Sequence, residues 1–368
     1  MKLYKYITFV LCQLSSLCIA QEIVSLAFVG DIMPGSTYYG QQTADRGQSL
    51  FNDAKKIFST VDFTFGNLET TLADSGRPRN PQREFNFLTP TSYGRILKEA
   101  GIGYLSVANN HTYDFGAAGI ASTLRILKKN DIYCSGLKQQ DAYQLIEIKG
   151  IRIAVCAFGF NFYCNQINDL TEVKRIINSA TKNADIVVVS FHGGAEGKQH
   201  RNLPQKSETF MGEDRGNLRR FAHFCIDNGA DVVYGHGPHV VRAVEIYKDR
   251  IIAYSLGNFC TPYGISIGGI NGYAPILTIE LEQDGLFRQG RIHSMIQYRG
   301  VGPRFDPENR ALKEIRLLSD DNISNGAMNI TSTGHIIATR WRPIDNELIE
   351  ESEEYYEDNE IDWNLTGW

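Results

Sequence analysis

Residues 24–35 read VSLAFVGDIMPG. The run up to Val29 is almost wholly apolar, and it breaks at Gly30, Asp31, Pro34 and Gly35. A short apolar run bounded by turn residues predicts a strand covered on both faces, the kind that parallel sheets bury. Asp31 then falls just past the strand end. The same order repeats along the chain. Strand-like runs at 61–65, 104–107, 186–191, 232–234 and 251–255 lead into five polar, glycine-rich segments. These are Gly66-Asn67-Leu68-Glu69-Thr70, Ala108-Asn109-Asn110-His111-Thr112-Tyr113-Asp114-Phe115-Gly116, His192-Gly193-Gly194-Ala195-Glu196, Gly235-His236-Gly237-Pro238-His239 and Leu256-Gly257-Asn258-Phe259.

Two more apolar runs, 145–148 and 151–158, have strand character, and helix-period segments lie at 91–100, 117–130, 170–183 and 208–228. Strands alternating with helices predict an α/β layered domain. From residue 274 the pattern changes to longer alternating strands, 274–282 and 287–297, around Gln283-Asp284-Gly285. Asp-Gly between alternating runs is a hairpin signal. A helix over 307–318 and two short strands at 328–331 and 336–338 complete the reading. No repeat or flexible linker separates this third from the rest. One domain over 21–343 is expected.

The 368 residues are 42% hydrophobic and 21% charged, a globular balance that excludes disordered, collagenous and coiled-coil classes. Residues 1–20 start with Lys2 and Lys5, continue through an apolar core and end in Cys18-Ile19-Ala20. That is the form of a secretory signal peptide cleaved before Gln21, which predicts secretion across the inner membrane to a periplasmic or extracellular place. Leu11 and Leu17 stand where an acylated Cys12 or Cys18 would need a small residue, which argues against lipidation. Residues 345–362 carry ten carboxylates and no Lys or Arg, so 344–368 is expected to be a solvated acidic tail. Without both ends, 35 basic and 32 acidic side chains remain and form no basic stripe. No nucleic-acid partner is implied. After residue 20 the cysteines are Cys134, Cys156, Cys164, Cys225 and Cys260, an odd set without a C-x-x-C pair. A local Cys156–Cys164 bridge is sterically open, and a disulfide framework is not expected.

Ligands of open α/β folds collect where strands end. Four of the eight histidines, His111, His192, His236 and His239, follow predicted strands beside Asp, Glu and Asn. Any one alone reads as a satisfied, partly buried imidazole, and Asp31 or Glu69 alone reads as a capping residue. Together they predict a shared metal or anion site, because divalent cations take this mixture of imidazole nitrogen with carboxylate and amide oxygen.

The ordered set GDIMPG, GNLETTL, NFLTP, VANNHTYDFG, SFHGGAE, GHGPHVV and YSLGNF resembles the bacterial capsule synthesis protein family that includes the poly-gamma-glutamate synthesis proteins CapA and PgsA. That family is similar to the calcineurin-like metallophosphoesterases. The resemblance implies a four-layer α/β/β/α sandwich of the metallophosphatase type, with a divalent metal ion (Mn, Fe or Zn; one or two ions) at the strand ends. It places Asp31, Asn67, Glu69, Asn110, His192, His236 and His239 as metal residues and His111 as the imidazole that faces substrate. Asp114 is placed to orient His111. Glu196 is a ligand, a general base or a loop cap. Arg83 pairs with a phosphate or carboxylate, or is a solvated loop arginine. Asn258 lines the same cleft or holds a turn.

The chain departs from the phosphoesterase pattern at Met33, where histidine is usual, and at Asn67, where aspartate is usual; its last pair is spaced H-x-x-H in place of H-x-H. Three functions remain in view. The first is capsule or poly-gamma-glutamate-type polymer synthesis or export through a metallophosphatase-like site, with an anionic polymer and membrane-bound polymer synthase components as partners. The second is a periplasmic metal-dependent hydrolase of a phosphoester substrate, unrelated to capsule, in which His111 protonates the leaving group. The third is binding of an anionic polymer without turnover.

Overall fold

The computed structural model describes residues 22–41 and 47–341. The signal segment, its cleavage point and the acidic tail lie outside the described residues. The strand Val24–Ile32 runs through the middle of a nine-stranded sheet. Its side chains alternate as strand geometry requires. Val24, Leu26 and Phe28 enter one core, and Ala27 and Val29 enter another. On one side it pairs parallel with Phe63–Leu68, which is followed outward by Tyr104–Ser106 and Tyr133–Ser135. On the other it pairs antiparallel with Ile276–Leu281, then Phe287–His293, His335–Ala338 and Met328–Ile330 follow.

The second sheet has six strands in the order Val244–Tyr247, Arg250–Ala253, Val232–His236, Ile186–His192, Ile151–Gly159 and Gln144–Ile148. Ile153, Val155, Ile186, Val188, Val232 and Tyr234 of this sheet share one core with Val24, Leu26, Phe28, Phe65 and Tyr104 of the first, so the two sheets pack face to face. The helices Asn52–Phe58, Tyr93–Glu99 and Gly116–Lys129 cover the outer face of the first sheet. Leu170–Ala180 and Leu218–Asp227 cover the outer face of the second. The layers therefore read α/β/β/α, the order that the resemblance implied. The helix Arg310–Asn322 places Leu312 and Ile315 in the central core and Leu318 in the outer core of the second sheet.

Two expectations change. The segment 208–228 is not one helix: Glu208–Phe210 and Glu213–Gly216 form a hairpin before the helix begins at Leu218. Met211 and Gly212 turn the hairpin at φ values of 50° and 78°, a conformation a helix does not contain. Asn217 then caps the helix, its side-chain oxygen accepting from the Arg220 N–H at 3.0 Å. The expected long strand 287–297 breaks at Ser294, and Met295–Tyr298 leaves the sheet to pair with Gly302–Phe305. Cys156 and Cys164 are both buried and free.

Two features bring the strand ends together. Asn258–Cys260 pairs parallel with the end of Val24–Ile32, so Asn258 lies in register beside Asp31. The backbone there is so close that a Cβ on Gly30 would run into the Gly257 carbonyl. In the second sheet, His192 and His236 end neighbouring parallel strands in register.

Candidate metal centre

Asp31, Asn67 and Glu69 come from the first sheet and its loops, and all three side chains are fully buried. Asp31 and Asn67 are register partners, which sets their side chains side by side. The Asn67 amide donates to Asp31 Oδ1 at 2.8 Å and to Glu69 Oε2 at 3.0 Å. From the second sheet, His192 Nδ1 lies 3.9 Å from Glu69 Oε2, and His236 Nδ1 approaches Asp31 Oδ1 at 3.4 Å without completing a hydrogen bond. Asp31, Glu69 and His192 each offer a ligand atom within 4.8 Å of one another.

His239 sits on a left-handed backbone, φ 57°, which turns its ring back over the strand ends. Its Nδ1 is 3.0 Å from both Asp31 Oδ2 and Asn258 Oδ1, and its Nε2 is 3.6 Å from Glu69 Oε1 and 4.0 Å from Glu196 Oε2. Asp31, Asn67, Glu69, His192, His236 and His239 thus converge at one place. Asn110 is buried with its side-chain oxygen unpartnered.

His111 and Asp114 form a separate unit. His111 Nδ1 is 2.8 Å from Asp114 Oδ2, and Phe87 packs against the ring with centroids 4.4 Å apart. Asp114 Oδ2 also accepts the Phe87 backbone N–H at 2.8 Å. Arg83 Nη1 donates to Asp114 Oδ1 at 3.1 Å and to the Asn110 carbonyl at 3.0 Å, so Arg83 ties the two residues flanking His111 while its side chain stays 38% exposed. Glu196 Oε1 accepts from Arg215 Nη1 at 3.0 Å. Asn258 is buried, and its nitrogen is spent on the carbonyls of His239, Ser266 and Asn271. It positions His239 and the loop beyond it.

Burial and charge act against each other here. Burial opposes ionisation of Asp31, yet His236 and His239 hold its carboxyl well below the usual carboxylate range. Glu69 is pushed well above its usual range by burial and then by the Asp31 charge. Burial holds His192 well below the ordinary imidazole value, which keeps a nitrogen lone pair available. For His239 burial works downward, but Glu69, Asp31 and Glu196 raise it to about 10.

Asn109 and Arg215 did not stand out in the sequence. Asn109 orders the Asn110-His111 loop, its oxygen accepting the backbone N–H groups of His111 and Thr112. Arg215 lies flat on Phe160, 3.9 Å from the ring centroid, and Phe160 packs toward His192 at 5.9 Å. Arg215 sits in the segment read as helix, which hid it.

Two facing sheets between helices, with acidic, amide and imidazole side chains gathered at the strand ends, define a four-layer α/β/β/α protein with a candidate metal centre. The chain belongs to the family described as bacterial capsule synthesis protein PGA_cap, whose model matches residues 25–263. It is 33% identical over 261 residues to the PGA biosynthesis protein CapA of Bacillus subtilis (strain 168), covering 67% of this chain and 65% of that protein. Against the capsule biosynthesis protein CapA of Bacillus anthracis it is 27% identical over 263 residues, covering 66% of this chain and 61% of that protein. The chain spans just under two thirds of the length of these relatives. A putative 5'-nucleotidase from Staphylococcus aureus, solved in complex with alpha-ketoglutarate, aligns at 14% identity and a TM-score of 0.45 over 81% of this chain and 58% of that one. At that level the likeness assigns no chemistry.

Proposed function

We propose that the chain serves capsule or poly-gamma-glutamate-type polymer synthesis or export outside the inner membrane, as a metal-dependent hydrolase of a phosphoester or related anionic bond. One observation carries the reading. At the centre, buried polar atoms on Glu69 (Oε1), His192 and His236 (both ring nitrogens of each) have no hydrogen-bond partner, and elsewhere on the His111 loop neither has Asn110 Oδ1. An unpaired buried polar group costs about 1–3 kcal/mol, so a cluster of them is explained by a cation that completes it. Their chemistry fits: imidazole nitrogen with carboxylate and amide oxygen suits Mn, Fe or Zn. Glu69, His192 and His236 would hold the ion, beside Asp31, and Asn110 is the ligand that the resemblance adds.

Such an ion, when bound, supplies a Lewis acid that polarises an anionic oxygen and lowers the pKa of water. The chain supplies the proton and the orientation. Asp114 accepts the Nδ1–H of His111 and fixes the ring, which leaves Nε2 as the atom from which the protonated imidazolium can pass a proton to a leaving group. The guanidinium of Arg83, more than a third exposed and tied to the same loop, is the group offered to a phosphate or carboxylate. Membrane-bound synthase components and an anionic polymer are the partners this role implies. Met33 and Asn67, where phosphoesterases usually have ligands, favour polymer binding without turnover as the second reading.

The test is to load the full chain with Mn, Fe or Zn and assay a broad phosphoester panel together with poly-gamma-glutamate. Metal-dependent turnover supports the hydrolase. A metal-loaded, inert protein that retains the polymer moves the assignment to binding, and a protein that takes up no metal overturns the hydrolase.

A further inference from the structure

Asn67 stands between the two carboxylates of the centre, and which end of its amide faces them is fixed from outside. The chain of reasoning starts at Asn109, which is fully buried. One end of its side chain receives the His111 N–H at 3.0 Å, the Thr112 N–H at 3.1 Å and the Thr112 hydroxyl at 3.1 Å. Two of these are backbone donors, so that end is oxygen. The other end is therefore nitrogen, and it meets the Leu68 carbonyl at 2.8 Å and Asn67 at 3.0 Å. Asn67 must present its oxygen there. Its own nitrogen is left facing Asp31 and Glu69, and both of its hydrogens are spent on them. An amide nitrogen has no lone pair for a cation, so Asn67 is a donor at this position and not a ligand.

The second oxygen of Asp31 is occupied in the same way. The three carbonyls around Asn258 Nδ2 fix that amide, so Asn258 Oδ1 is an acceptor. His239 Nδ1, 3.0 Å from both Asn258 Oδ1 and Asp31 Oδ2, carries the hydrogen. Both oxygens of Asp31 thus accept from N–H groups, whereas Glu69 Oε1, Asn110 Oδ1 and the ring nitrogens of His192 and His236 make no hydrogen bond. Met33, two residues after Asp31, is fully buried and carries a thioether, a poor ligand for a hard cation.

We infer that the centre is built for one divalent ion, with Asn67 locked by Asn109 as a hydrogen-bond donor between Asp31 and Glu69, where it offers no oxygen to a second ion. This rests on the metal-dependent reading above and narrows it. A site of one ion has no second cation to hold the leaving oxygen, which places that duty on protein donors.

The experiment is metal analysis of the full chain after equilibration with excess Mn, Fe(II) or Zn, with EPR of the Mn form to detect coupled ions. One ion per chain and an uncoupled Mn spectrum are expected. Two ions per chain, or a coupled spectrum, overturn this inference and leave the hydrolase reading standing. No ion under any condition overturns both. In Asn67→Asp, the carboxylate replaces the donor, and metal content should rise from one ion to two. A folded Asn67→Asp protein that stays at one ion overturns the role given to Asn67. If that variant does not fold, the count and spectrum of the unaltered chain decide.

Discussion

Arg242 and Glu208 meet as a two-pronged buried ion pair, Nη1 to Oε1 and Nη2 to Oε2, each at 2.7 Å. Neither residue touches the metal centre, yet together they hold the loop that carries His192 and Glu196. Glu208 accepts the Ala195 N–H at 3.0 Å, and Arg242 reaches the Ala195 carbonyl at 3.4 Å. Removing one partner strands a buried charge, a loss of about 3–5 kcal/mol; removing both in favour of apolar groups returns much of it. Arg242→Met should therefore lower unfolding free energy by about that amount in a denaturant titration, and Arg242→Met with Glu208→Leu should be more stable than the single variant. A double variant no better than the single one would show that the pair is not the unit that matters.

The thiols give a second check. Cys156, Cys164, Cys225 and Cys260 are buried and free, and Cys134 is partly covered. Burial pushes the Cys134 thiol up to about 11 and raises the other four as well. Thiolate is the reactive form, so native protein should react slowly with a thiol reagent, Cys134 first. Denatured chain lacking residues 1–20 should release five thiols. A count of three would restore the local Cys156–Cys164 bridge.

The alternation of strands and helices was readable because each apolar run and its polar terminus are contiguous in sequence; the four-layer order came from the resemblance alone. Asp31 and His192 lie within the last two residues of their strands, and the period of the preceding residues announces them. What was not readable depends on partners far away in the chain. Asn67 acts as a donor because of Asn109, which is 42 positions away. Asn258 stands beside Asp31 through a strand of three residues, too short to leave a pattern. The hairpin before Leu218 was missed because Phe210 and Phe221 keep apolar residues coming while Gly212 and Gly216 set the turns.

Glu245 supplies a pH dependence away from the centre. It is buried, with His223 Nε2 at 3.0 Å, the Tyr254 hydroxyl at 2.6 Å and Asn325 at 3.1 Å, and His223 stacks on Tyr247 with centroids 3.9 Å apart. Burial works upward, but the hydrogen bonds from His223 and Tyr254 and the charges of His223 and Arg219 hold Glu245 below its usual value. A depressed carboxyl contributes stability that is present above its unfolded pKa, about 4.3, and is lost as pH falls through the folded value. The unaltered chain should lose stability more steeply than Glu245→Gln below about pH 4.3. At pH 7 the variant should be less stable by about 1–3 kcal/mol. Parallel pH profiles would remove Glu245 from the acid transition.

On the proposed function, His111 and His192 separate proton transfer from metal holding. His192 is fully buried with both ring nitrogens unpartnered, which marks it for the cation. His111 already has a partner in Asp114, which commits its Nδ1 and leaves Nε2 for the substrate side. His111→Ala should keep metal content and lower turnover by about 10² to 10⁴, the scale of a positioned proton donor. His192→Ala should lose metal occupancy, and turnover should follow. Asp114→Asn should keep the metal and lower turnover by a smaller factor, because the ring remains but its orientation is no longer held by a carboxylate. Metal content measured on all three variants alongside turnover decides the matter: equal metal loss in His111→Ala and His192→Ala would put His111 among the ligands, and unchanged turnover in His111→Ala would remove it from the reaction.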